Sequence, residues 1–313
     1  MSESRMSNKL QVDRWLCQSA VTFLGSSSAG AIDELPSDPF VLREVSQQLV
    51  AHYMGASDGS SVQITGERLK EVDLRYADLM FARLLELNSQ KLLRKRTSDE
   101  RIAGCCRDFA VLFVSMARHK GIPSRVRVGY ATYFRPGWYL DHVIAEIWDS
   151  EQHRWKLVEP EISESIATRG NFDPLDVPSD KFVTGPRAWI LARSGQVDPE
   201  KFVVAPELEI PYTRSWLSLR HHLVQDLAAL SKLEMLIWDQ WGILNKDDPL
   251  YHAELLDLLA RDIVEPSCSI ESILKWSRQE DLLVPRLVTS YSPTQDIPLE
   301  VDVSKVLEGI IRP

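Results

Sequence analysis

Apolar residues recur at helical spacing through the N-terminal third of the chain. Three stretches show this pattern: residues 9 to 24, 40 to 54 and 68 to 88. In the second stretch, Val41, Val45 and Leu49 fall on one helical face. The breaks at Gly25 to Gly30 and Gly55 to Gly66 are rich in Ser and Gly, as loops are. The pattern therefore predicts a mainly helical N-terminal third.

A further amphipathic helix is predicted to begin at Cys105. Its apolar face is formed by Phe109, Leu112, Phe113 and Met116. The helix must end near Lys120, because Gly121 and Pro123 follow and proline cannot continue a helix.

Three segments with strand character come next: Ser124 to Phe134, His142 to Trp148 and Arg154 to Val158. The polar segment Asp149 to His153 joins the last two as a hairpin-like turn. Because no helix-length segment separates these strands, the pattern favours an α+β core over a repeated strand–helix–strand array.

The C-terminal half returns to helical spacing. The longest predicted helix runs from about Thr213 to Trp241, with an apolar seam from Trp216 to Ile237. Shorter helices are predicted at Tyr251 to Ile263 and Ser269 to Arg278, and Val288 to Ile297 is expected to be extended. We therefore divide the chain into an N-terminal helical segment, a core, and a C-terminal, mainly helical extension covering the core: residues 1–69, 70–165 and 166–313.

Composition excludes several classes of function. A hydrophobic fraction of 44% suits a substantial core, and a net charge of -9 argues against a nucleic-acid partner. Polar residues interrupt the first apolar stretch, so neither a signal peptide nor a membrane span is expected. The four cysteines form no CxxC pair. We therefore expect no metal, no organic cofactor and no disulfide framework, and a reducing cytoplasm as the location.

Gly104, Cys105 and Cys106 stand where the central helix begins. The unpaired N–H groups and dipole of a first helical turn favour a thiolate, which is the nucleophilic form of cysteine. A thiolate also needs a base, commonly a histidine oriented by a carboxylate. If the two strands after the helix pair antiparallel, His142 at the start of one lies beside Glu159 at the end of the other.

Several separate motifs occur in order along this part of the chain. They are Gly104-Cys-Cys106-Arg-Asp-Phe-Ala110, Gly121-Ile-Pro-Ser-Arg-Val-Arg-Val-Gly-Tyr130, His142 with Glu146, and Trp155 with Glu159-Pro160. Over roughly residues 70 to 165 the chain resembles the transglutaminase-like superfamily. The resemblance implies a papain-like α+β core, in which a nucleophile helix packs on an antiparallel sheet, with helical extensions at both ends.

The resemblance also assigns the site residues. It implies that Cys106, directly before Arg-Asp-Phe-Ala, is the nucleophile rather than Cys105, with His142 and Glu159 completing a catalytic triad. Two departures concern the shape of the site: the family usually has Asp where Glu159 stands, and often Ala-Trp where Val143 and Ile144 follow the histidine. Asp141 or Glu161 could take the place of Glu159.

Other polar residues and cysteines have plainer interpretations. Cys17 and Cys268 are predicted to be small buried side chains, and Cys105 to be structural. Arg107 and Asp108 are expected to pair with nearby groups. His222 and Asp226 have the i, i+4 spacing of an exposed, ion-paired helix face. Asp239, between Trp238 and Trp241, could face the substrate cleft of the site.

The site implies acyl transfer through a covalent thioester with the enzyme. The expected substrate is a peptide, amide or thioester, and the acyl-enzyme that it forms is then resolved by water or by an amine acceptor. The motifs do not distinguish a peptidase or amidase from a transglutaminase-type enzyme. They also do not identify the acyl group that is transferred. The alternative is a non-catalytic interaction module with the same fold. Metal binding through Cys105, Cys106 and His142 is a third hypothesis, although adjacent cysteines supply two tetrahedral corners poorly.

Overall fold

The structure of the protein is a computed structural model that describes residues 12–55, 64–265 and 268–308. Its α-helices, in chain order, are α1 (Ser26–Asp33), α2 (Pro39–Leu49), α3 (Ala77–Leu87), α4 (Cys106–His119), α5 (Glu164–Gly170), α6 (Gly185–Arg193), α7 (Ser215–Leu230), α8 (Ala253–Ile263), α9 (Ile270–Trp276) and α10 (Ser304–Leu307). Short 3-10 helices occupy Arg14–Leu16, Gly66–Asp73, Ser98–Glu100, Pro199–Lys201, Pro211–Thr213 and Gly242–Asn245.

The strands, also in chain order, are β1 (Val50–His52), β2 (Ile102–Gly104), β3 (Ser124–Ala131), β4 (Tyr139–Asp149), β5 (Arg154–Val158), β6 (Phe182–Thr184), β7 (Phe202–Val203), β8 (Asp239–Gln240), β9 (Leu287–Ser290) and β10 (Leu299–Asp302). The largest sheet has the order β5-β4-β3-β6, with β7 parallel to β4. This mixture of helices and a largely antiparallel sheet confirms the α+β prediction.

The chain forms two compact units. The first comprises residues up to 126, residues 144–177 and the C-terminal residues from 308, as far as they are described; the second comprises residues 127–143 and 178–307. The division into three consecutive segments that we expect from the sequence describes the order of elements along the chain, and it remains a prediction.

Helix α4 is the buried centre of the first unit. Every residue from Cys106 to Arg118 is buried, and α2 and α3 pack against this helix. The helix ends before Gly121, which has a φ of 75° and so takes the left-handed conformation that stops a helix. The predicted central helix is therefore confirmed at both ends within one residue.

Strands β4 and β5 pair as the predicted hairpin. Their register pairs Ala145 with Val158 and Asp149 with Arg154. The Asp149 carboxylate accepts hydrogen bonds from the turn amides of Glu151 and Gln152, which closes the connection. Lys156 also pairs with that carboxylate, and this ion pair lowers the pKa of Asp149 to about 2.

In the second unit, α7 packs against both α6 and α8. Strands β8 and β10 flank β9 in a separate antiparallel sheet. The predicted helices at Tyr251 to Ile263 and Ser269 to Arg278 are present as α8 and α9, each slightly shorter.

The prediction of one helix from Thr213 to Trp241 is wrong in its second half. Helix α7 ends at Leu230, because Lys232 adopts a φ of 65° and the Leu233 amide donates back to the Ala228 carbonyl at 2.9 Å. This bond satisfies a carbonyl that the helix leaves without a partner. The last part of the predicted seam, at Leu233 and Ile237, lies beyond the helix.

Two N-terminal predictions also need correction. In the stretch 9 to 24, helical backbone at residues 12–13 leads into the 3-10 helix Arg14–Leu16 and ends there, so no helix extends to residue 24; residues 9–11 lie outside the described residues. The helix predicted over 40 to 54 ends at Leu49, where β1 begins and pairs in parallel with β2. Most of the predicted loop Gly55 to Gly66 also lies outside the described residues.

Candidate active site

Cys106 is the first residue of α4 and lies in the first unit. Its side chain is buried, with 5% of the residue exposed. Cys105 caps the helix in an extended conformation and exchanges two bonds with Asp108: the Cys105 amide donates to Asp108 Oδ2 at 2.9 Å, and the Cys105 sulfur accepts from the Asp108 amide. This capping box fixes the chain direction into the helix.

Gly104 is needed for the chain to approach this helix start. A Cβ atom at Gly104 would lie 2.7 Å from Asp108 Oδ2 and 2.8 Å from Val50 Cγ1. Both distances are shorter than any ordinary contact. The glycine that precedes the two cysteines therefore has a steric reason, because the carboxylate that caps the helix occupies the space of a side chain.

Arg107 and Asp108 form a buried pair, as their predicted structural role requires. Arg107 Nη1 donates to Asp108 Oδ1 at 3.0 Å, and Arg107 Nη2 donates to the Arg75 carbonyl at 2.8 Å. Burial raises the pKa of Asp108, while the Arg107 charge and the Cys105 amide oppose that rise. Both terminal nitrogens of the Arg107 guanidinium therefore bind groups of the protein itself, which is a structural role.

The two adjacent thiols differ in their surroundings. A hydrogen bond with Cys106 lowers the pKa of Cys105, but burial and the charge of Asp108 outweigh it and the net pKa is raised. Cys105 is therefore held as a neutral thiol, which suits a capping group better than a nucleophile. Cys17 is exposed and Cys268 half-buried, so the prediction that both are buried is wrong.

His142 lies on β4 in the second unit and is 2% exposed. Three aromatic rings of the same unit contact it with their planes steeply inclined: Phe134 at a centroid distance of 5.0 Å, Tyr133 at 6.1 Å and Phe182 at 6.4 Å. These rings restrict the imidazole on several sides. Sequence analysis did not assign Tyr133 and Phe134 a place beside His142, although adjacent aromatic residues at the end of a predicted strand are a visible signal.

Glu159 lies in the first unit and is fully buried. Its Oε1 accepts a hydrogen bond from the Glu161 amide at 2.9 Å. Its backbone is held on both sides: the amide donates to the Pro174 carbonyl at 2.8 Å, and the carbonyl accepts from Arg43 Nε at 2.7 Å. Arg43 also donates to the Ile162 carbonyl, so one arginine fixes the turn after β5.

The predicted surface pair of His222 and Asp226 is wrong, because both residues are buried within the second unit. Asp226 binds the guanidinium of Arg127 through two oxygens, at 3.1 and 2.8 Å, and accepts a bond from the Val128 amide at 2.8 Å. Burial raises the pKa of Asp226 even though Arg127 opposes that rise. The spacing was recognised correctly, but α7 is enclosed on the face that carries both residues.

Asp239 is buried and supports a turn. Its Oδ2 accepts a hydrogen bond from the Leu236 amide at 3.1 Å, and its carbonyl accepts from Gln225 Nε2 at 3.0 Å. These bonds hold the chain between α7 and β8. They give Asp239 a structural role in the second unit.

Among the residues that the structure describes, no group of three or more His, Cys, Asp or Glu side chains is placed to hold a metal ion. In the same part of the chain, every helix is too short or too polar to cross a membrane.

Residues 87–160 match the family model of the transglutaminase-like superfamily. The matched stretch contains Cys106, His142 and Glu159, and it lies within the region where the sequence motifs show the resemblance. A protein from Cytophaga hutchinsonii, described as a "Putative Cysteine Protease", is 16% identical, with 55% of this chain and 45% of that chain covered and a TM-score of 0.31.

This chain therefore spans less than half the length of the Cytophaga hutchinsonii protein. The comparison with curated proteins gives no match. The grouping of Cys106, His142 and Glu159 into one site stays a prediction.

Proposed function

We propose that the protein is a cysteine-dependent acyl-transfer enzyme that acts on an amide or thioester carbonyl. Cys106 is the nucleophile, His142 carries the proton, and Glu159 orients the imidazole. The observation that carries this proposal is the position of Cys106 as the first residue of a buried α-helix, within a stretch that matches the transglutaminase-like superfamily. A cysteine in the middle of a helix would gain little from the helix dipole.

The reaction divides into two steps. The Cys106 thiolate attacks the carbonyl carbon, and His142 protonates the departing amine or thiol as the thioester forms. The backbone N–H of Cys106, at the positive end of α4, is suited to donate to the oxygen that becomes negative in the transition state. Water or an amine then attacks the thioester, with His142 accepting the proton of the attacking group.

The strand register supports Glu159 as the orienting carboxylate. Ala145 and Val158 form the last pair of the ladder between β4 and β5, and extending this register by one residue would set Ile144 opposite Glu159. Ile144 and His142 are separated by one residue on β4, and alternate residues of a strand face the same side of a sheet. Glutamate is one methylene longer than aspartate, which gives its carboxylate a longer reach towards the imidazole.

The same register argues against Asp141 as the orienting group. Asp141 and His142 are consecutive on β4, so their side chains face opposite sides of the strand. Glu161 remains a candidate, because its amide already bonds the Glu159 carboxylate and the two residues share one turn.

The proposal is tested by the rate of alkylation with iodoacetamide as a function of pH, resolved to each cysteine by peptide mass. We expect the pH at which Cys106 reaches half its maximal alkylation rate to lie below about 7.5. A free thiol has a pKa near 8.5, and the helix start favours the thiolate. The exposed Cys17 provides an internal reference within the same sample.

Two variants separate the neighbouring thiols. Cys105→Ala should leave the low-pH reactivity of Cys106 in place, and His142→Gln should shift the Cys106 profile to higher pH. If Cys106 reacts only above about pH 8.5 in the wild-type protein, like an ordinary thiol, the catalytic proposal fails and a non-catalytic module becomes the better account.

A further inference from the structure

A buried polar cluster in the second unit has no role in the proposed reaction. It consists of Tyr130, Asp141, Ser218 and His222. The Tyr130 hydroxyl contacts Ser218 Oγ at 2.8 Å and His222 Nδ1 at 3.0 Å. On the other side of the His222 ring, Nε2 lies 3.9 Å from Asp141 Oδ2. The cluster thus ends at the residue directly before His142.

The protonation of His222 follows from its contacts. His222 Nδ1 lies 2.8 Å from the Ser218 backbone carbonyl, which can only accept a hydrogen bond. We assign a hydrogen atom to Nδ1, where it donates to this carbonyl. Burial lowers the pKa of His222 to about 3, with the charge of His221 acting in the same direction, so the ring is neutral near pH 7. In a neutral ring with Nδ1–H, Nε2 is an acceptor.

The Asp141 carboxyl consequently faces an acceptor. Two acceptors repel unless a proton lies between them, so the protonated carboxyl is the form that suits Nε2. At 3.9 Å the two atoms are too far apart for a hydrogen bond, and a movement of about 1 Å would bring them within that range. The Asp141 side chain is 18% exposed, and burial raises its pKa to about 7, whereas the charge of His142 opposes that rise.

Asp141 and His142 act on each other through charge. An imidazolium at His142 favours the carboxylate of Asp141, and by reciprocity the carboxylate favours the imidazolium. They lie on opposite faces of β4, so this effect does not require a hydrogen bond between them.

We propose that Asp141 and His222 form a pair whose one titrating proton resides on the Asp141 carboxyl, and that the charge of this pair sets how firmly the His142 imidazole holds its own proton. Asp141 is then a positioning and tuning residue for His142, and His222 acts through Asp141. When the pair holds the proton, His142 has a neutral neighbour. When the proton leaves to solvent, the carboxylate that remains stabilises the His142 imidazolium.

The groups that neighbouring elements bring towards Asp141 in the described part of the chain, apart from His222 and His142, carry no charge. Strand β3 brings Tyr130, whose pKa is raised well above 10 by burial, so its hydroxyl stays neutral. Strand β7, which pairs with β4 at Tyr139 and Leu140, brings Phe202 and Val203, and neither carries a charge. Helix α7 brings His222, and β4 itself brings His142.

The test is an NMR titration of the His142 ring in Cys106→Ala protein, with the resonance assigned by its loss on His142→Gln. Asp141→Asn should lower the pKa of His142 by on the order of one pH unit, because it removes a carboxylate across a strand. His222→Asn keeps a donor for the Ser218 carbonyl but removes Nε2. It should raise the pKa of His142, because the Asp141 carboxylate then persists to lower pH, and an unchanged pKa would contradict the role given to His222.

The opposite behaviour of the two variants is the decisive feature. Asp149→Asn, which removes a carboxylate from the far end of β4, serves as the matched control and should leave the His142 titration in place. An unchanged His142 titration in Asp141→Asn, or equal shifts in both variants, would overturn the inference. The role of this charge effect in catalysis rests on the proposed function. The titration itself is measured in Cys106→Ala protein, which lacks the nucleophile, so its outcome does not depend on activity. Failure of one proposal is therefore distinguishable from failure of the other.

Discussion

At the scale of single residues, the clearest feature is the contrast between two adjacent thiols. Cys105 accepts a bond from the helix and keeps its proton, whereas Cys106 occupies the first helical position. The glycine, the helix and the later histidine were sufficient to place Cys106 at a helix start from sequence. The exposure of Cys17 and the burial of Asp226 were not predictable in the same way, because burial depends on segments distant in the chain.

The capping carboxylate gives a prediction at this scale. Asp108→Ala removes the acceptor for the Cys105 amide and leaves the buried Arg107 without its carboxylate. We expect the free energy of unfolding to fall by about 3 kcal/mol, since breaking a buried ion pair leaves an uncompensated charge. Urea denaturation measures this change.

Asp99→Ala is the control for that measurement, because Asp99 is exposed in the 3-10 helix Ser98–Glu100. It should change the free energy of unfolding by less than about 0.5 kcal/mol. Equal effects of the two substitutions would show that the capping box contributes nothing particular to the start of α4.

At the scale of elements, the accuracy of sequence analysis followed the length and regularity of each element. Helix α4 and strand β5 were predicted with nearly correct limits, because each has a clear pattern and a turn signal at its end, whereas β4 begins at Tyr139, three residues before the predicted His142. Strands β1 and β8 were missed, since segments of two or three residues carry no period. The end of α7 was also missed, because Lys232 adopts a left-handed conformation that its residue type does not suggest.

The contact between α6 and α7 yields a prediction for elements. Gly185 begins α6, and a Cβ atom there would lie 2.3 Å from the His222 carbonyl oxygen of α7. Gly185→Ala must push two backbones apart, which should lower the free energy of unfolding by about 2 to 3 kcal/mol. Thermal or urea denaturation provides the measurement.

Gly30→Ala is the matched control, because it lies in α1 and a Cβ atom there meets nothing within 4 Å. Alanine is the better helix former, so this variant should be more stable by about 0.5 to 1 kcal/mol. Destabilisation by Gly30→Ala, or tolerance of Gly185→Ala, would contradict the packing described for these helices.

At the scale of the whole molecule, the dependence of stability on pH reflects the half-buried histidine His221. Burial lowers the pKa of His221 to about 4, and its Nε2–H donates to the Ile237 carbonyl. The unfolded chain binds a proton at this histidine near pH 6.5, so the stabilisation is complete above that pH and is lost as the pH falls from 6.5 towards 4.

His221→Gln keeps a donor for the Ile237 carbonyl but cannot be protonated. Between pH 6.5 and 4, the stability of the wild-type protein relative to this variant should fall by about 1 kcal/mol per pH unit, allowing for partial exposure of the ring. The free energy of unfolding in urea, measured at several pH values, gives the difference. The stability of the wild-type protein relative to His153→Asn, a substitution at an exposed turn, should change less with pH, and equal slopes would count against a half-buried neutral His221.

The central claim for the whole molecule is that Cys106 forms a covalent acyl intermediate. The most direct measurement is the intact mass of the protein after incubation with p-nitrophenyl acetate, followed by hydroxylamine, which cleaves thioesters. Wild-type and Cys105→Ala proteins should each gain one acetyl group that hydroxylamine removes, and Cys106→Ala should gain none. Acetylation that persists in Cys106→Ala, or a thioester mapped to Cys105, would contradict the account.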